Sequence, residues 1–136
     1  MNSHSHTISV RTNHRIEVCS ITGQIENVVA RSNIQEGFVL ICCPHTTAAI
    51  IVNENESRLV RDLEKMVEDL IPWNKKYAHN EIDGNAASHM VGTILGNSVT
   101  LPVTNGSVDL GTWQSIFLLE LDGARTRQVK VKVMGE

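Results

Sequence analysis

Apolar and polar positions alternate over residues 6–12 (HTISVRT) and 15–21 (RIEVCSI). A half-buried strand imposes this period of two, because its successive side chains point to opposite faces. Asn13 and His14 lie between the two segments and suit a hairpin turn, so an antiparallel pair is expected. Thr22 is placed to cap a helix in which Ile25, Val28 and Val29 recur at helical spacing until Gly37 interrupts. Two continuous apolar runs follow, FVLICC up to Pro44 and then AAIIVNE. Both are short and rich in β-formers, which predicts buried strands joined by the tetrapeptide PHTT. Residues 57–71 place Leu59, Leu63, Met66, Val67 and Leu70 on one stripe, with Arg61, Glu64, Lys65 and Glu68 on the other side. That is an amphipathic helix, stopped by Pro72.

The stretch from Pro72 to Asn85 has no periodicity and reads as a loop, long enough to point to a binding role. Asn85 can cap a short helix, AASHMVGTILG, that ends near Gly96. Strand patterns return with SVTLPV, the turn TNG, SVDLG and TWQSIFLLELD, and after the turn DGAR the valines 129, 131 and 133 alternate strictly. Strands, then helices, then strands predict an α+β fold: one domain spanning 1–136, with a mainly antiparallel sheet layered with a few helices on one face.

Composition narrows the function. Aromatic residues make up only 4% of the chain, so the core must be aliphatic and a stacking platform for single-stranded nucleic acid is not expected. The net charge of −3 gives no general attraction to nucleic acid or to an anionic membrane surface. No apolar run approaches the ~20 residues that span a bilayer, and the N-terminal residues lack the apolar core of a signal peptide, so a cytoplasmic protein is expected. Cys19, Cys42 and Cys43 are odd in number and lie in strand-like segments, which reads as reduced thiols.

Candidate chemistry falls in four places. His45, His79 and His89 come from three separate elements, and three imidazoles with an open position form the donor set of a zinc-like divalent metal. Thr46 and Thr47, then Asn53, Glu54, Asn55 and Glu56, flank the AAIIV strand. Glu54 or Glu56 is a candidate general base, and capping of the next helix by Asn55 or Ser57 is the alternative account of the same residues. Trp113 and Gln114, in GTWQ, form either core packing or a pocket wall. Arg125 and Arg127 follow the DGA turn, as an anion clamp or as a solvated turn. There is no P-loop, no GxGxxG and no GxSxG.

Taken together, PHTTAAIIVNENE, His79 followed by GNAASH, LPVTNGSVDLGTWQSIFLLELDGARTR and the final VKVMGE resemble the YjbQ-like family over nearly the whole chain. The resemblance implies an α+β subunit, a homotrimer and a secondary thiamine-phosphate synthase activity. It also draws His45, His79, His89, Asn53, Asn55, Glu56 and Asn85 into one site for a small phosphorylated or anionic molecule. A metal-dependent hydrolase and a non-enzymatic trimeric metabolite-binding protein are the alternatives. This chain departs from the family pattern at Ala87, where Asp is frequent, at Ser107, where a basic residue is frequent, and at Ala124, where Pro is frequent.

Overall fold

The computed structural model describes all residues from Met1 to Glu136. Eight strands and three α-helices follow one another as β1 (Asn2–Arg11), β2 (Glu17–Ser20), α1 (Thr22–Ser32), β3 (Gly37–Cys42), β4 (Ala48–Asn53), α2 (Ser57–Leu70), a short 3-10 helix (Ala78–Glu81), α3 (Ala86–Leu95), β5 (Ser98–Thr104), β6 (Ser107–Val108), β7 (Ser115–Glu120) and β8 (Thr126–Gly135). The α+β class is as expected, but the strands form two antiparallel sheets rather than one. A five-stranded sheet runs β1-β8-β3-β5-β6 and a three-stranded sheet runs β2-β7-β4.

The expected β1–β2 hairpin does not form. β1 pairs with β8 from Asn2↔Gly135 to Arg11↔Thr126, while β2 pairs with β7 in the other sheet. The connection explains the difference. The Glu17 carboxylate accepts hydrogen bonds from the backbone N–H groups of Asn13 at 2.7 Å and His14 at 3.2 Å. Those donors are thereby taken from a cross-strand ladder, and the chain steps between sheets instead of turning back. The TNG turn does form a hairpin between β5 and β6. Asn105 (φ 52°) and Gly106 (φ 77°) both adopt the left-handed conformation that matches the twist of the flanking strands.

The main core lies between the sheets. Ile8, Val39, Ile41, Val129, Val131 and Val133 face Ala48, Ile50, Ile116 and Leu118, and Ile25, Val28 and Val29 of α1 pack among them. Each fully buried Val or Ile contributes about 1.5–3 kcal/mol relative to an exposed one. A second cluster joins Ala49, Leu119 and Leu121 on the back of the three-stranded sheet to Val67 of α2 and Val91 of α3. β4 and β7 are covered on both faces, and for this reason their sequences are continuous apolar runs. The α2 stripe is only partly used: Val67 is buried, whereas Met66 and Leu70 are 44% and 41% exposed. All three cysteines are free, and burial with the nearby Glu17 charge pushes the Cys19 thiol up to about 12, which keeps it protonated.

Thr22 does not cap α1. It is the first helical residue, and its hydroxyl accepts from the Ile116 N–H at 2.9 Å, tying α1 to β7. No helix is long and apolar enough to cross a membrane.

Candidate functional site

A buried ion pair underlies the first group of candidate residues. Arg127 is 2% exposed and Glu120 is fully buried. The Arg127 Nε–H donates to Glu120 at 3.0 Å, and its NH2 group donates to the Thr47 carbonyl at 2.9 Å and the Thr47 hydroxyl at 2.8 Å. Glu120 also accepts from the Thr12 hydroxyl at 2.8 Å and from the Leu121 and Asp122 N–H groups at 3.0 Å. Burial opposes its ionisation, but the Arg127 guanidinium, the Asp122 N–H and the Thr12 hydroxyl outweigh that, and its pKa falls below the ordinary value. The Nε and Nη2 groups of Arg127 are directed inward. Arg127, 2% exposed and paired with Glu120, and Thr47 therefore brace the junction between β4, β7 and β8, a structural place rather than that of an exposed anion clamp.

His45 stands next to this junction. Its Nε2 accepts from the backbone N–H of Gln128 at 2.9 Å, which fixes the neutral ring as the Nδ1–H tautomer. Burial, reinforced by the Arg127 charge, lowers its pKa below 6.5 and favours that neutral form. With Thr46, Thr93, Asn97 and His89, it lines a cleft of about 380 Å³ between the start of β4 and α3. Gly92 of α3 lies against the start of β4. A Cβ there would lie 3.4 Å from the Thr46 carbonyl and 3.6 Å from that of Ala48. No carboxylate lines the cleft.

On the other flank, His79 from the 3-10 helix packs edge-on against His89, with ring centroids 4.8 Å apart. His79 Nε2 lies 3.0 Å from the Asn85 Oδ1, and the Asn85 Nδ2 donates to Asp122 at 2.9 Å. Because Asp122 is acceptor-only when ionised, it orients the amide, and His79 must carry its proton on Nε2. Arg125 completes the chain by donating to the same Asp122 oxygen at 3.0 Å. Asn85 is the N-cap of α3 but uses its side chain in this chain of contacts. The Ala86 N–H is capped instead by the Asn80 Oδ1 at 3.0 Å.

These tautomers bear on the metal expectation. Neutral His45 offers a proton rather than a lone pair, His79 has one nitrogen committed to Asn85, and no group of three or more His, Cys, Asp or Glu side chains in the chain is arranged to hold a metal ion. The residues present do not fit a three-histidine centre within one chain.

The remaining candidates sit elsewhere. β4 pairs with β7 from Ala48↔Glu120 to Asn53↔Ser115. Five steps at about 3.3 Å separate the two ends of the strand by about 17 Å. Asn53, Glu54, Asn55, Glu56, Trp113 and Gln114 cluster at the far end. There Glu56 caps α2, accepting from the Arg58 and Leu59 N–H groups, and it pairs with the Arg58 side chain at 2.8 Å. The Arg58 N–H, helped by the Arg58 side chain and the Leu59 N–H, draws its pKa below the usual carboxylate value. Gln114 accepts from the Gly111 N–H at 2.8 Å, Asn53 accepts from the Glu54 N–H at 2.8 Å, and Trp113 is 72% exposed, so it packs no core.

The family described as UPF0047 protein YjbQ-like matches residues 6–136. The chain belongs to the YjbQ-like family. A UPF0047 protein of Methanothermobacter thermautotrophicus is 46% identical over 136 residues, covering all of this chain and 95% of its own length. The UPF0047 protein YugU of Bacillus subtilis is 38% identical over 130 residues, covering 95% and 98% of the two chains. Among solved structures, a YbjQ-like protein of unknown function from Sulfolobus solfataricus superposes with a TM-score of 0.97 at 39% identity, covering 99% of each chain. These relatives establish the fold and the family of this YjbQ-like chain.

Several residues around the cleft carry little signal in the sequence. Asp122 was visible only as part of a DGAR turn, and Asn80 only as one polar residue in a loop. Glu120, inside the run FLLELD, carried the strongest unread signal, since a carboxylate in a buried strand requires a cationic partner. The rings Trp73 and Tyr77 do not line the His45 cleft. Trp73 lies under Arg15 at 4.3 Å, and the Tyr77 hydroxyl donates to the Pro72 carbonyl at 2.7 Å.

Proposed function

We propose that this YjbQ-like protein binds a small phosphorylated or otherwise anionic molecule in the cleft between His45 and His89. One observation carries the reading: the cleft offers the unpartnered Nδ1–H of a neutral His45, with hydroxyl and amide groups beside it and no carboxylate to repel an anion. Arg125, half exposed and paired with Asp122, lies close enough to lower the His45 pKa. Neutral donors of this kind hold an anion without requiring that a fixed positive charge be stripped of water.

The family resemblance extends the proposal to thiamine-phosphate synthase chemistry in a cytoplasmic homotrimer. In that reaction the thiazole nitrogen bonds to the pyrimidine methylene, the methylene-to-oxygen bond breaks, and pyrophosphate departs with the electron pair. The His45 Nδ1–H and Arg125 would stabilise the charge that develops on the departing group. The test is calorimetric titration with inorganic pyrophosphate, followed by rescue of a thiamine auxotroph. Binding that weakens at least tenfold in His45→Ala and His89→Ala supports the cleft. Absence of binding to wild type overturns it, and equal rescue by wild type and His45→Ala removes the catalytic role. Sedimentation at three times the 15.0 kDa of one chain supports the trimer.

A further inference from the structure

Strand β1 is a free edge of the five-stranded sheet, and it is 10 residues long. The other sheet edges are short or covered: β6 has 2 residues, β2 has 4, and the Ile50 N–H of β4 donates to the Gly96 carbonyl at 3.2 Å. Pairing of β1 with β8 is unbroken from Asn2 to Arg11. Just beyond it the Thr12 N–H donates to the Arg125 carbonyl at 3.0 Å, and alternate residues of an antiparallel strand address the same neighbour. Val10, Ile8, His6 and His4 therefore bond to β8, whereas the N–H and C=O groups of Ser3, Ser5, Thr7 and Ser9 point away from the sheet. Long edges are ordinarily blunted by a proline, a bulge or a charge, and NSHSHTISVR has none of these before Arg11.

Two cavities flank this edge, one on each face of the sheet, where the alternating side chains of an added strand enter. On the open face Ser5, Thr7, Leu40, Cys42, Lys130 and Lys132 line about 630 Å³. On the opposite face His4, Gln24, Asn27 and Arg31 line about 240 Å³ beside α1. No carboxylate lines either cavity, and β1, β3, β5 and β8 contain no Asp or Glu. Lys130, Lys132 and Arg31 make no ion pair within the chain. An added strand would run two strand spacings, about 9.5 Å, from β8, and the short Ser and Thr side chains of β1 leave the space between them open to a Glu and a Lys that lean toward each other. We propose that β1 accepts an extended acidic segment of another protein as a sixth strand, with its carboxylates over Lys130 and Lys132. Main-chain hydrogen bonds to Ser3, Ser5, Thr7 and Ser9 hold the segment, and the cations select an acidic sequence. This surface shares no lining residue with the His45 cleft, so it stands whether or not that cleft binds an anion.

The probe is the peptide acetyl-TEVEVEVT-amide, whose alternation puts all its carboxylates on one face. Amide hydrogen exchange of the full chain is expected to show several-fold protection of Ser5, Thr7 and Ser9 when this peptide is added, and none with the charge-reversed peptide acetyl-TKVKVKVT-amide. Thr7→Pro removes an outward N–H at an edge position, where proline is compatible with the sheet, and is expected to abolish binding while the thermal melt is little changed. Lys130→Glu combined with Lys132→Glu leaves the β1 backbone intact; it is expected to weaken the acidic peptide by about tenfold and to admit the lysine peptide. Exchange at Ser5, Thr7 and Ser9 that saturating acidic peptide leaves unaltered overturns the proposal. So does equal binding of the acidic peptide by wild type and the double glutamate variant. Protection of the same amides without any peptide, lost on dilution, means that a second copy of the chain holds the edge and likewise overturns it.

Discussion

The Nε2 atom of His45 accepts a hydrogen bond from the Gln128 backbone N–H at 2.9 Å, so a histidine at the mouth of the cleft is held by the edge of β8 through its lone pair. Protonation destroys this contact, because an imidazolium has no acceptor. Burial and the Arg127 charge lower the folded-state pKa below 6.5, and the unfolded chain therefore binds more protons at pH values just under 6.5. Stability rises with pH wherever the unfolded state holds the extra proton. The His45 contribution is accordingly complete above 6.5 and is lost as pH falls through the folded pKa. Urea denaturation at a series of pH values is expected to show this decline in wild type and a flatter profile in His45→Gln. Parallel profiles would exclude His45 as the titrating group.

Glu120 and Arg127 are both buried, and their mutual neutralisation makes that burial tolerable. Removing one partner of a buried pair leaves an uncompensated charge and costs about 3–5 kcal/mol, whereas replacing both with apolar residues is far milder. Glu120→Gln is expected to lose stability in that range, and Glu120→Leu combined with Arg127→Met to recover most of it. Denaturation midpoints at neutral pH decide the point. Below pH 4.5, where the lowered Glu120 pKa is reached, wild type is expected to decline more steeply than the variants, which keep only the smaller contribution of Glu56 and other carboxylates.

The two asparagines beside α3 have separable roles. Asn80→Ala removes the acceptor of the Ala86 N–H and is expected to cost about 1 kcal/mol, the usual value of an N-cap, with little change in ligand affinity. Asn85→Ala frees His79 and Asp122 from one another and is expected to weaken pyrophosphate binding more than it lowers stability. Thermal melts and calorimetry on the pair separate these outcomes, and the reverse ranking contradicts the assignment.

Metal content offers an independent check on the His45 tautomer. Protein purified without a His tag is expected to carry the same metal content as its His45→Ala variant, since an Nδ1–H is not a ligand. Zinc that is stoichiometric in wild type and lost in the variant means that the ring turns over and releases Gln128.

Much of the fold could be read from periodicity, and the reading failed where connectivity depends on one side chain. The helix at 57–71 was predicted nearly to its observed bounds because its stripe and Pro72 are local signals. The β1–β2 pairing was misjudged because a single carboxylate, Glu17, captures the turn donors. The candidate site was read as one cluster because His45 and Glu54 are nine residues apart, and proximity in sequence hides how far an extended strand carries its ends. The His79, Asn85 and Asp122 relay was half legible. Asn85 and His79 were singled out, but nothing local to Asp122 tells a turn residue from the group that orients an amide.

The Arg127 guanidinium that neutralises Glu120 between the sheets also lowers the proton affinity of His45. One charge therefore serves two masters: any substitution that retunes the acidity of the cleft through this arginine also loosens the joint between β4, β7 and β8. A variant that alters pH response through Arg127 is expected to lose stability with it, whereas the half-exposed Arg125, which also lowers the His45 pKa, stands outside that joint.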